Sequence, residues 1–539
     1  MSGEISTDVV IVGGGVGGTA AAIALGEAGV RCVVLEPSPW IGGQLTSQGV
    51  PPDENRWVES FGSTRRYRRF RSLVREQYRL HESLTDDALS AQHLNPGGGW
   101  VSRLCCSPRI AHRVLRAMIG EAGSGGCVDV FDGFELVGVE TDGDRISAVR
   151  GVDSEGAERV VAGSLFLEAS ESGDLLELGA IEHRVGAESA ERHDEAHGLA
   201  EADERCQQPP TWCFAVEHRP RVHSVIEKPD SYDTVRGWVP QMNDRAWTGP
   251  LLSWTIPTHG DAVSRELAMV PAPDEPGQGA LELWRYRRIV DASLHTDGRP
   301  DVSLFNVVQM DDWRTPILSL ERGQREAAMR EAKELAASFL YWMQTEAPRH
   351  DGGVGYPGLT LAGRHLGTGD GFAMTPYIRE PRRLEARRML AEGDVGATQR
   401  RHLDAGSNGA PPEGRCEPFH DSVAIGHYHI DLHPTPTGRN SIYVESSPFQ
   451  IPLRSLVPVR VSNVLSAGKC LGVTHIVNGA TRTHAVEWSI GEAAGIAAAE
   501  CIRTGTKPSE LCESPGARTA LRERLGREGA PTRWPWDPS

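Results

Sequence analysis

The sequence has no excess of positive charge and very little lysine. Its 539 residues include 56 Lys and Arg against 73 Asp and Glu, which gives a formal net charge of −17. An acidic chain repels phosphate backbones, so we expect no nucleic-acid partner. Arginine carries almost all of the positive charge, because only four lysines are present: Lys228, Lys333, Lys469 and Lys507.

Paired cysteines and processing segments are also missing. The ten cysteines form no CxxC pair and no Cys/His ligand spacing, so we expect free thiols, no disulfide scaffold and no metal site. Free thiols are typical of a reducing compartment, which predicts a cytoplasmic protein. No basic segment precedes the apolar stretch at 9–30, and glycines interrupt that stretch, which argues against a signal peptide and a membrane span.

Glycine and proline are frequent but stay below the level of a low-complexity chain. The 60 glycines and 35 prolines make up about 18% of the residues, against roughly 25–30% in low-complexity segments. With 39% hydrophobic residues, the chain is long enough for two or more domains. No internal repeat is visible.

The first 36 residues have the pattern of a βαβ unit. Residues 8–12 predict a buried strand, the glycines at 13–18 close it, and the alanine-rich segment 19–28 predicts a helix. A second strand is predicted at 30–36 and ends in an acid. A strand, a glycine turn and a helix in this order are the context of a dinucleotide-binding motif.

Gly13, Gly15 and Gly18 form that GxGxxG motif. The first glycine permits the turn, the second lets the backbone approach a pyrophosphate, and the third lets the helix pack on the sheet. Backbone N–H groups and the helix dipole then hold the phosphates. Glu36 lies 23 residues after Gly13, which predicts a contact with the ribose hydroxyls and disfavours a 2′-phosphate.

The motif by itself fits NAD and FAD equally, because both contain an ADP half. A second glycine pair, Gly42-Gly43, stands where a NAD dehydrogenase would continue with a helix. Residues 465–468 end another predicted strand, and 491–495 lie in a predicted helix of small residues. The N-terminus of this helix would place positive charge near the N1/O2 edge of a flavin, which favours FAD.

Other predicted elements give the outline of the remaining chain. Helices are predicted at 59–81, 108–120 and 321–345, paired strands at 128–141 and 145–152, and a mobile surface loop at 391–416. The basic run RRYRRFR at 65–71 is interpreted as a solvated helix face or a set of internal ion-pair partners.

Seven stretches together carry a family resemblance: 9–36, 41–48, 97–109, 166–180, 375–387, 426–435 and 462–498. In them the chain resembles the FAD-dependent oxidoreductases with a glutathione-reductase-like (GG-motif) flavin fold. The resemblance implies FAD and an α/β fold, with a Rossmann-like FAD-binding domain, discontinuous in sequence, and a second, mixed α+β substrate domain. Composition shifts near 183 and 460 place the FAD-binding domain at 1–182 and 456–505, the substrate or cap domain at 183–455 and a C-terminal tail at 506–539.

The resemblance also implies cofactor contacts along the glycine turns and the C-terminal segment. Lys469 departs from relatives, which carry an acid after the Ala-Gly pair. Three interpretations of Lys469 stay open: it stabilises superoxide near the flavin, it pairs with a phosphate, or it lies in solvent. The segment 168–170 (EAS) stands where relatives show Asp-Ala-Thr. The implied contacts are Gly13, Gly15, Val16, Gly17, Gly18, Glu36, Gly42, Gly43, Gln44, Val130, Ala169, Gly468, Lys469, Glu492 and Ala493.

The segment GHYHIDLH supplies the first candidates for proton transfer. Alternation along a strand would place His427, His429, Asp431 and His433 on one face and Tyr428 on the other. Asp431 would fix the tautomer of a neighbouring imidazole and raise its basicity. A solvated strand face, a hydrogen-bond network and a three-histidine metal site are the open alternatives.

Two arginines and a further histidine are candidates for substrate contacts. Arg379 would bind an anionic group bidentately, unless Glu380 beside it neutralises its charge. Because the segments around His475 and Arg482 resemble flavin contacts, we expect both side chains near the isoalloxazine ring.

The chain is therefore predicted to be an FAD-dependent dehydrogenase or oxidase that removes a hydride from a C–H bond next to oxygen or nitrogen. A histidine at 427–433 or His475 would act as base, and Arg379 or Arg482 would orient a polar small molecule of secondary metabolism. The alternatives are a flavin monooxygenase, a non-redox lyase or isomerase and a cofactor-stabilised binding module. A monooxygenase would need NAD(P)H, and the absence of a second glycine fingerprint for that nucleotide weighs against it. The substrate, the electron acceptor, covalent attachment of FAD and a homo-oligomeric state stay open.

Overall fold

The computed structural model describes residues 4–243, 247, 249–257, 264–268, 281–349, 351–397 and 418–537. Of the loop predicted at 391–416, the part after 397 lies outside the described residues. Its first part differs from the prediction, because Glu392–Val395 form a helical turn and the Glu392 side chain is buried. Among the described residues, no helix combines the length and the apolar character needed to cross a membrane.

The strands are longest in the amino-terminal third of the chain. In order they are β1 (Glu4–Val12), β2 (Cys32–Glu36), β3 (Val128–Asp132), β4 (Glu135–Asp142), β5 (Arg145–Val152), β6 (Glu158–Glu168), β7 (His183–Arg184), β8 (Phe214–His218), β9 (Thr255–Pro257), β10 (Ser264–Ala268), β11 (Leu281–Glu282), β12 (Arg288–Val290), β13 (Val302–Phe305), β14 (Leu359–Leu361), β15 (Arg383–Leu384), β16 (Ser422–Gly426), β17 (Ile430–Leu432), β18 (Ile442–Val444), β19 (Phe449–Pro452) and β20 (Val464–Ser466).

Two long helices lie near the chain ends and one lies in the middle. In order the helices are α1 (Val16–Glu27), α2 (Arg65–His81), α3 (Asp86–Ser90), α4 (Pro108–Ala122), α5 (Asp174–Leu178), α6 (Ala190–His193), α7 (Tyr232–Gly237), α8 (Leu283–Tyr286), α9 (Arg322–Thr345), α10 (Glu392–Val395), α11 (His475–Thr481), α12 (His484–Thr504), α13 (Pro508–Glu513) and α14 (Pro515–Glu528).

A seven-stranded sheet forms the Rossmann-like part of this α/β fold. Its strands follow the order β3-β2-β1-β6-β5-β4, and β20 pairs with β6 outside this path. β1 runs parallel to β2 and β6, and β20 also runs parallel to β6. The carboxyl ends of these strands therefore lie at one edge, where Gly13, Glu36, Ala169 and Ala467 are found. Ligands of open α/β sheets bind at such an edge.

The predicted pairing of 128–141 with 145–152 is correct only in its second half. β4 pairs with β5 in antiparallel register, whereas β3 pairs with β2 in parallel. Gly133, at a φ of 70°, separates β3 from β4. This left-handed conformation suits glycine and breaks the segment that the sequence pattern shows as one strand.

Small residues hold α12 close to α1. A Cβ atom on Gly491 would overlap the carbonyl oxygen of Gly17, and a Cβ on Gly495 would lie 2.7 Å from that of Ala21. The glycines at 491–495, predicted to face the flavin, thus serve this helix contact. The two helices bury one another almost completely and join the chain ends into one core.

A second hydrophobic core surrounds α9. Its aromatic members stack on each other, with 5.3 Å between the ring centroids of Phe214 and Phe305 and 5.7 Å between those of Phe339 and Trp342. The sheet β12-β13-β8-β14 covers this core. The middle of the chain therefore packs around its own apolar residues.

Candidate functional site

The glycine turn after β1 leaves no room for side chains. Gly13 has a φ of 96°, and a Cβ on it would overlap the Ala169 carbonyl group. A Cβ on Gly17 would overlap the Ala467 carbonyl oxygen. Only glycine fits at these places, so the turn packs directly against the backbone that follows β6 and β20.

Glu36 is tied to this turn at the end of β2. Its Oε2 accepts a hydrogen bond from the Gly14 N–H at 2.8 Å, and its Oε1 accepts one from the Ser38 N–H at 2.8 Å. Burial raises the pKa of Glu36 to about 7, against the opposing effect of these hydrogen bonds. The acid thus lies at the end of β2 beside the glycine turn, and its contact with a ribose stays a prediction.

The second glycine pair connects the turn to the C-terminal segment. Gly42 and Gly43 have φ values of 102° and 48°. The next residue, Gln44, donates from Nε2 to the Arg482 carbonyl oxygen at 2.9 Å and to Glu487. Its Oε1 has no hydrogen-bond partner in the described part of the chain although it is buried. This amide oxygen is available to a ligand group that donates a hydrogen bond.

Lys469 is buried rather than solvated. Only 1% of its side chain is exposed, and Nζ pairs with Glu171 and donates to the Ile378 carbonyl oxygen at 2.7 Å. Burial opposes its charge, but Glu171 and Glu487 raise the pKa of Lys469 above its ordinary value. Lysine thus stands here as an internal ion-pair partner.

Glu171 brings a carboxylate against the glycine turns. Its Oε1 lies 2.6 Å from a Cβ position on Gly15 and 2.5 Å from one on Gly43. Among the described residues this oxygen has no hydrogen-bond partner. Sequence reasoning missed Glu171, because nothing in the segment EASES distinguishes a carboxylate that points into the turn.

The residues at this sheet edge fit the ADP half of FAD. The two glycine turns meet there, Glu36 lies at the end of β2 beside them, and Gln44 has an unsatisfied oxygen. The other implied contacts divide into two groups. The first group lies at the glycine turn or beside it and comprises Val16, Gly18, Ala169 and Gly468. The second is Val130 on β3, which pairs with Val34 on β2.

Glu492 and Ala493 lie on α12, where the helix is packed on all sides. The Glu492 carboxylate binds Arg66 at 2.8 Å and accepts a hydrogen bond from Trp488 Nε1 at 3.0 Å. Its oxygens are thus engaged by protein partners, and Ala493 is fully buried in the core. Both residues therefore have a packing role in the structure, and their flavin contact stays a prediction.

An aspartate that the sequence did not indicate holds His433. Asp311 is fully buried, and its Oδ2 lies 2.5 Å from His433 Nδ1. Its Oδ1 lies 3.0 Å from Arg379 Nη2. Burial raises the pKa of Asp311, but Arg379 and His433 outweigh burial and hold it below its ordinary value. Asp311 therefore stays ionised and fixes the Nδ1–H tautomer of His433.

Asp431 and Arg482 complete this cluster. Arg482 Nη2 lies 3.1 Å from Asp431 Oδ2, and Nη1 donates to the Tyr377 hydroxyl at 2.6 Å. His433 Nε2 is 3.5 Å from the same Asp431 oxygen. The Arg482 backbone binds Gln44, so this residue connects the cofactor turn with the His433 cluster.

The four titratable residues at 427–433 do not share one strand face. β17 covers only Ile430–Leu432, so His427 and His429 precede the strand. His427 and His429 line a cavity of about 740 Å³ with Trp57, and the rings of His427 and Trp57 are 5.2 Å apart. Burial lowers the pKa of His427 to about 4. Within the described ranges, no group of three ligating side chains is arranged to hold a metal ion.

His475 is paired with a carboxylate through its Nδ1 and is not a free base. Its Nδ1 lies 3.0 Å from both carboxylate oxygens of Glu380. Burial disfavours the imidazolium, but Glu380 and the neighbouring Cys206 raise the pKa of His475 to about 9. The ring is therefore protonated at neutral pH. Arg379, predicted to bind substrate, directs both terminal nitrogens to protein oxygens.

A family model described as FAD dependent oxidoreductase matches residues 8–525. A geranylgeranyl bacteriochlorophyll reductase-like protein from Thermoplasma acidophilum matches 98% of this chain and 85% of its own, at 10% identity and a TM-score of 0.35. The myxobacterial halogenase CndH matches 40% of this chain and 45% of its own, at 18% identity and a TM-score of 0.25. The flavin-dependent monooxygenase PieE, solved with FAD and substrate, matches 40% of this chain and 36% of its own, at 17% identity and a TM-score of 0.25. The chain thus spans less than half of CndH and PieE. No match was found among curated proteins.

Proposed function

Because the chain belongs to the FAD-dependent oxidoreductase family, we propose that it removes a hydride from a C–H bond next to oxygen or nitrogen in a polar small molecule. The observation that carries this proposal is the contact between the buried Asp311 and the half-buried His433, which is joined through Asp431 and Arg482 to the glycine turn at Gln44. A proton acceptor beside a flavin-binding segment is what oxidation of an alcohol or amine requires.

The residues that would hold FAD are the glycine turns, Glu36 and Gln44. The chemistry that FAD supplies when bound is hydride acceptance. The protein's own residues handle the proton, the orientation of the substrate and the exclusion of water.

His433 is the base in this proposal. Asp311 binds Nδ1–H, which leaves Nε2 to accept a proton from the substrate's O–H or N–H group. The buried carboxylate then stabilises the imidazolium that forms. Asp311 is a positioning residue, because it acts through the ring.

Arg482 and Tyr377 support the substrate side of the cluster. The hydroxyl of Tyr377 accepts from Arg482, and the guanidinium groups of Arg379 and Arg482 lie 5.0 and 6.0 Å from its ring centroid. Cations around an aromatic ring fix its position. Tyr377 is thus held between the two arginines.

The test is anaerobic flavin reduction by stopped-flow absorbance, with polyols, hydroxy acids, amino acids and amines as donors. We expect His433→Asn to lower the rate of bleaching by about 10²–10⁴-fold. Asp311→Asn should lower it less and move its pH dependence to lower pH. His429→Asn, in the outer cavity, is the matched control and should keep the rate.

A protein that takes up no FAD would contradict the proposal at its premise. A yellow protein that no donor bleaches would point to a non-redox role. Bleaching that survives His433→Asn unchanged would move the base to another residue.

A further inference from the structure

A second cavity lies at the N-terminus of α4, and the proposed reaction does not use it. Its volume is about 580 Å³, and none of the implied cofactor contacts lines it. Ser107 precedes the first turn of α4, and its side chain does not cap the helix. Because Ser107, Arg109 and Ile110 line the cavity, the positive end of the helix dipole lies at its wall. Such an end favours a negatively charged group.

Positive charge predominates in the lining of this cavity, although the whole chain is acidic. Four arginines and two acids line the cavity, in a chain with a net charge of −17. Both acids, Glu82 and Asp297, pair with the same arginine, Arg299. The other three arginines therefore need counter-charges from elsewhere.

Two of these three arginines have no carboxylate partner. Arg109 and Arg113 lie four positions apart on α4 and are exposed, and within the described part of the chain neither forms an ion pair. Other contacts hold the Arg109 side chain in place. Its Nε donates to the Arg364 carbonyl oxygen at 2.6 Å, and its guanidinium carbon is 5.8 Å from the centroid of the Trp40 ring. The terminal nitrogens of Arg109 are thus left for a ligand.

The third arginine, Arg364, shares its acid with another arginine. The buried carboxylate of Glu217 lies 2.8 Å from Arg364 Nη2 and 2.6 Å from Arg219 Nε. One carboxylate thus serves two guanidinium groups. Counted with Arg219 and Glu217, five arginines face three acids at this cavity, which leaves an excess of two positive charges.

A ring nitrogen of His365, which also lines the cavity, lacks a partner. His365 Nδ1 is 3.0 Å from the Ser107 hydroxyl oxygen. Its Nε2 is shielded from solvent and has no hydrogen-bond partner among the described residues. Burial, and after it Arg364, Arg299 and Arg109, lower the pKa of His365 to about 3, so the ring is neutral. When the Ser107 hydroxyl donates to Nδ1, the ring proton lies on Nε2 and serves an anionic acceptor.

We propose that this cavity binds a small phosphorylated metabolite through its phosphate group. A phosphomonoester carries a charge of about −1.5 to −2 at neutral pH, which matches the excess of positive charge. Its oxygens accept hydrogen bonds from arginine and from the start of a helix. The volume lies within the range of about 300–1,000 Å³ that is usual for small-molecule pockets, and Tyr78, Ile110 and Val290 supply apolar wall. The ligand therefore has an organic part, as a nucleotide or a sugar phosphate has.

The experiment is calorimetric titration of the FAD-loaded protein with AMP and glucose 6-phosphate, and with their phosphate-free counterparts adenosine and glucose. Bound FAD keeps AMP out of the proposed ADP site. We expect one of the two esters to bind and its counterpart not to bind, which distinguishes a nucleotide from a sugar phosphate. Arg109→Met and Arg113→Met should each raise the Kd of that ester by about tenfold or more. The control is Arg69→Met, which removes an exposed arginine of α2 outside the cavity and should stay within twofold of the wild type.

Three results would overturn the inference. They are binding of neither ester, equal binding of an ester and its phosphate-free counterpart, and wild-type affinity in both Arg109→Met and Arg113→Met. Inorganic phosphate is titrated as well, and binding as tight as that of the ester would reduce the cavity to an adventitious anion site. The Kd of FAD is measured for each variant, and a loss in Arg109→Met would assign this residue to the cofactor instead. Calorimetry needs no hydride transfer, so the result stands apart from the proposed oxidation.

Discussion

Single residues at the sheet edge decide how well an anionic cofactor is held. Glu171 Oε1 lies against the glycine turns, and its second oxygen pairs with Lys469. A carboxylate at this place repels a diphosphate and also engages the nearest cation. We therefore expect Glu171 to weaken binding of an anionic cofactor at the glycine turns.

We expect Glu171→Gln to tighten FAD binding at least tenfold. Two like charges 4 Å apart repel by about 4 kcal/mol at an effective dielectric constant of 20, and tenfold in affinity requires only about 1.4 kcal/mol. Quenching of flavin fluorescence during titration of the apoprotein measures the Kd. The control is Glu158→Gln, an exposed acid at the other end of β6. Unchanged or weaker binding in Glu171→Gln would show that the carboxylate lies clear of the phosphates.

At the scale of elements, α2 shows how a basic run becomes internal. The helix begins at Arg65 rather than 59, because the Thr64 side chain caps it by accepting from the Tyr67 N–H. Arg66 and Arg71 then point inward, and Arg66 binds Glu492 and Glu528 at 2.8 Å each. The interpretation of the run as internal ion-pair partners is confirmed for these residues.

Loss of the inner pair should cost far more than loss of an outer one on the same helix. Arg66→Met leaves the fully buried Glu492 without its cation, so we expect the free energy of unfolding to fall by about 3–5 kcal/mol. Arg69→Met breaks an exposed pair with Glu121 and should cost less than about 1 kcal/mol. Urea denaturation followed by circular dichroism compares the two. Equal losses would mean that Arg66 contributes no more than a surface charge.

At the scale of the whole molecule, buried ion pairs link folding to pH. His475 has a pKa of about 9 in the folded protein, against about 6.5 in an unfolded chain. The folded state therefore binds this proton more tightly. Its contribution to stability is complete below about pH 6.5 and is lost as the pH rises to about 9.

Glu380→Gln should remove most of this dependence. We expect a lower free energy of unfolding at pH 6.5 and a flatter profile between pH 6.5 and 9, because the imidazolium loses its carboxylate partner. Urea denaturation at a series of pH values measures the free energy of unfolding. The control is Glu191→Gln, which replaces an exposed acid. Parallel profiles for Glu380→Gln and the wild type would contradict the link.

Local patterns in the sequence determined the parts of the protein that depend on local geometry. The βαβ unit, the glycine turn and the position of Glu36 follow from strand and helix periodicity and from glycine's freedom at positive φ. The family and the cofactor class follow from the same motifs. The domain limits and the list of cofactor contacts stay predictions.

Only the tertiary structure decided which side chains meet. His433 and Asp311 are 122 positions apart, and Lys469 and Glu171 are 298 positions apart. Alternation placed His427 and His429 beside His433, but β17 is too short to keep them on one face. Pairs of this kind form because packing of distant segments excludes water and leaves each buried charge to find its partner. A local pattern carries no record of that choice, whereas the glycine motif at 13–18 indicates a turn because glycine adopts positive φ without strain.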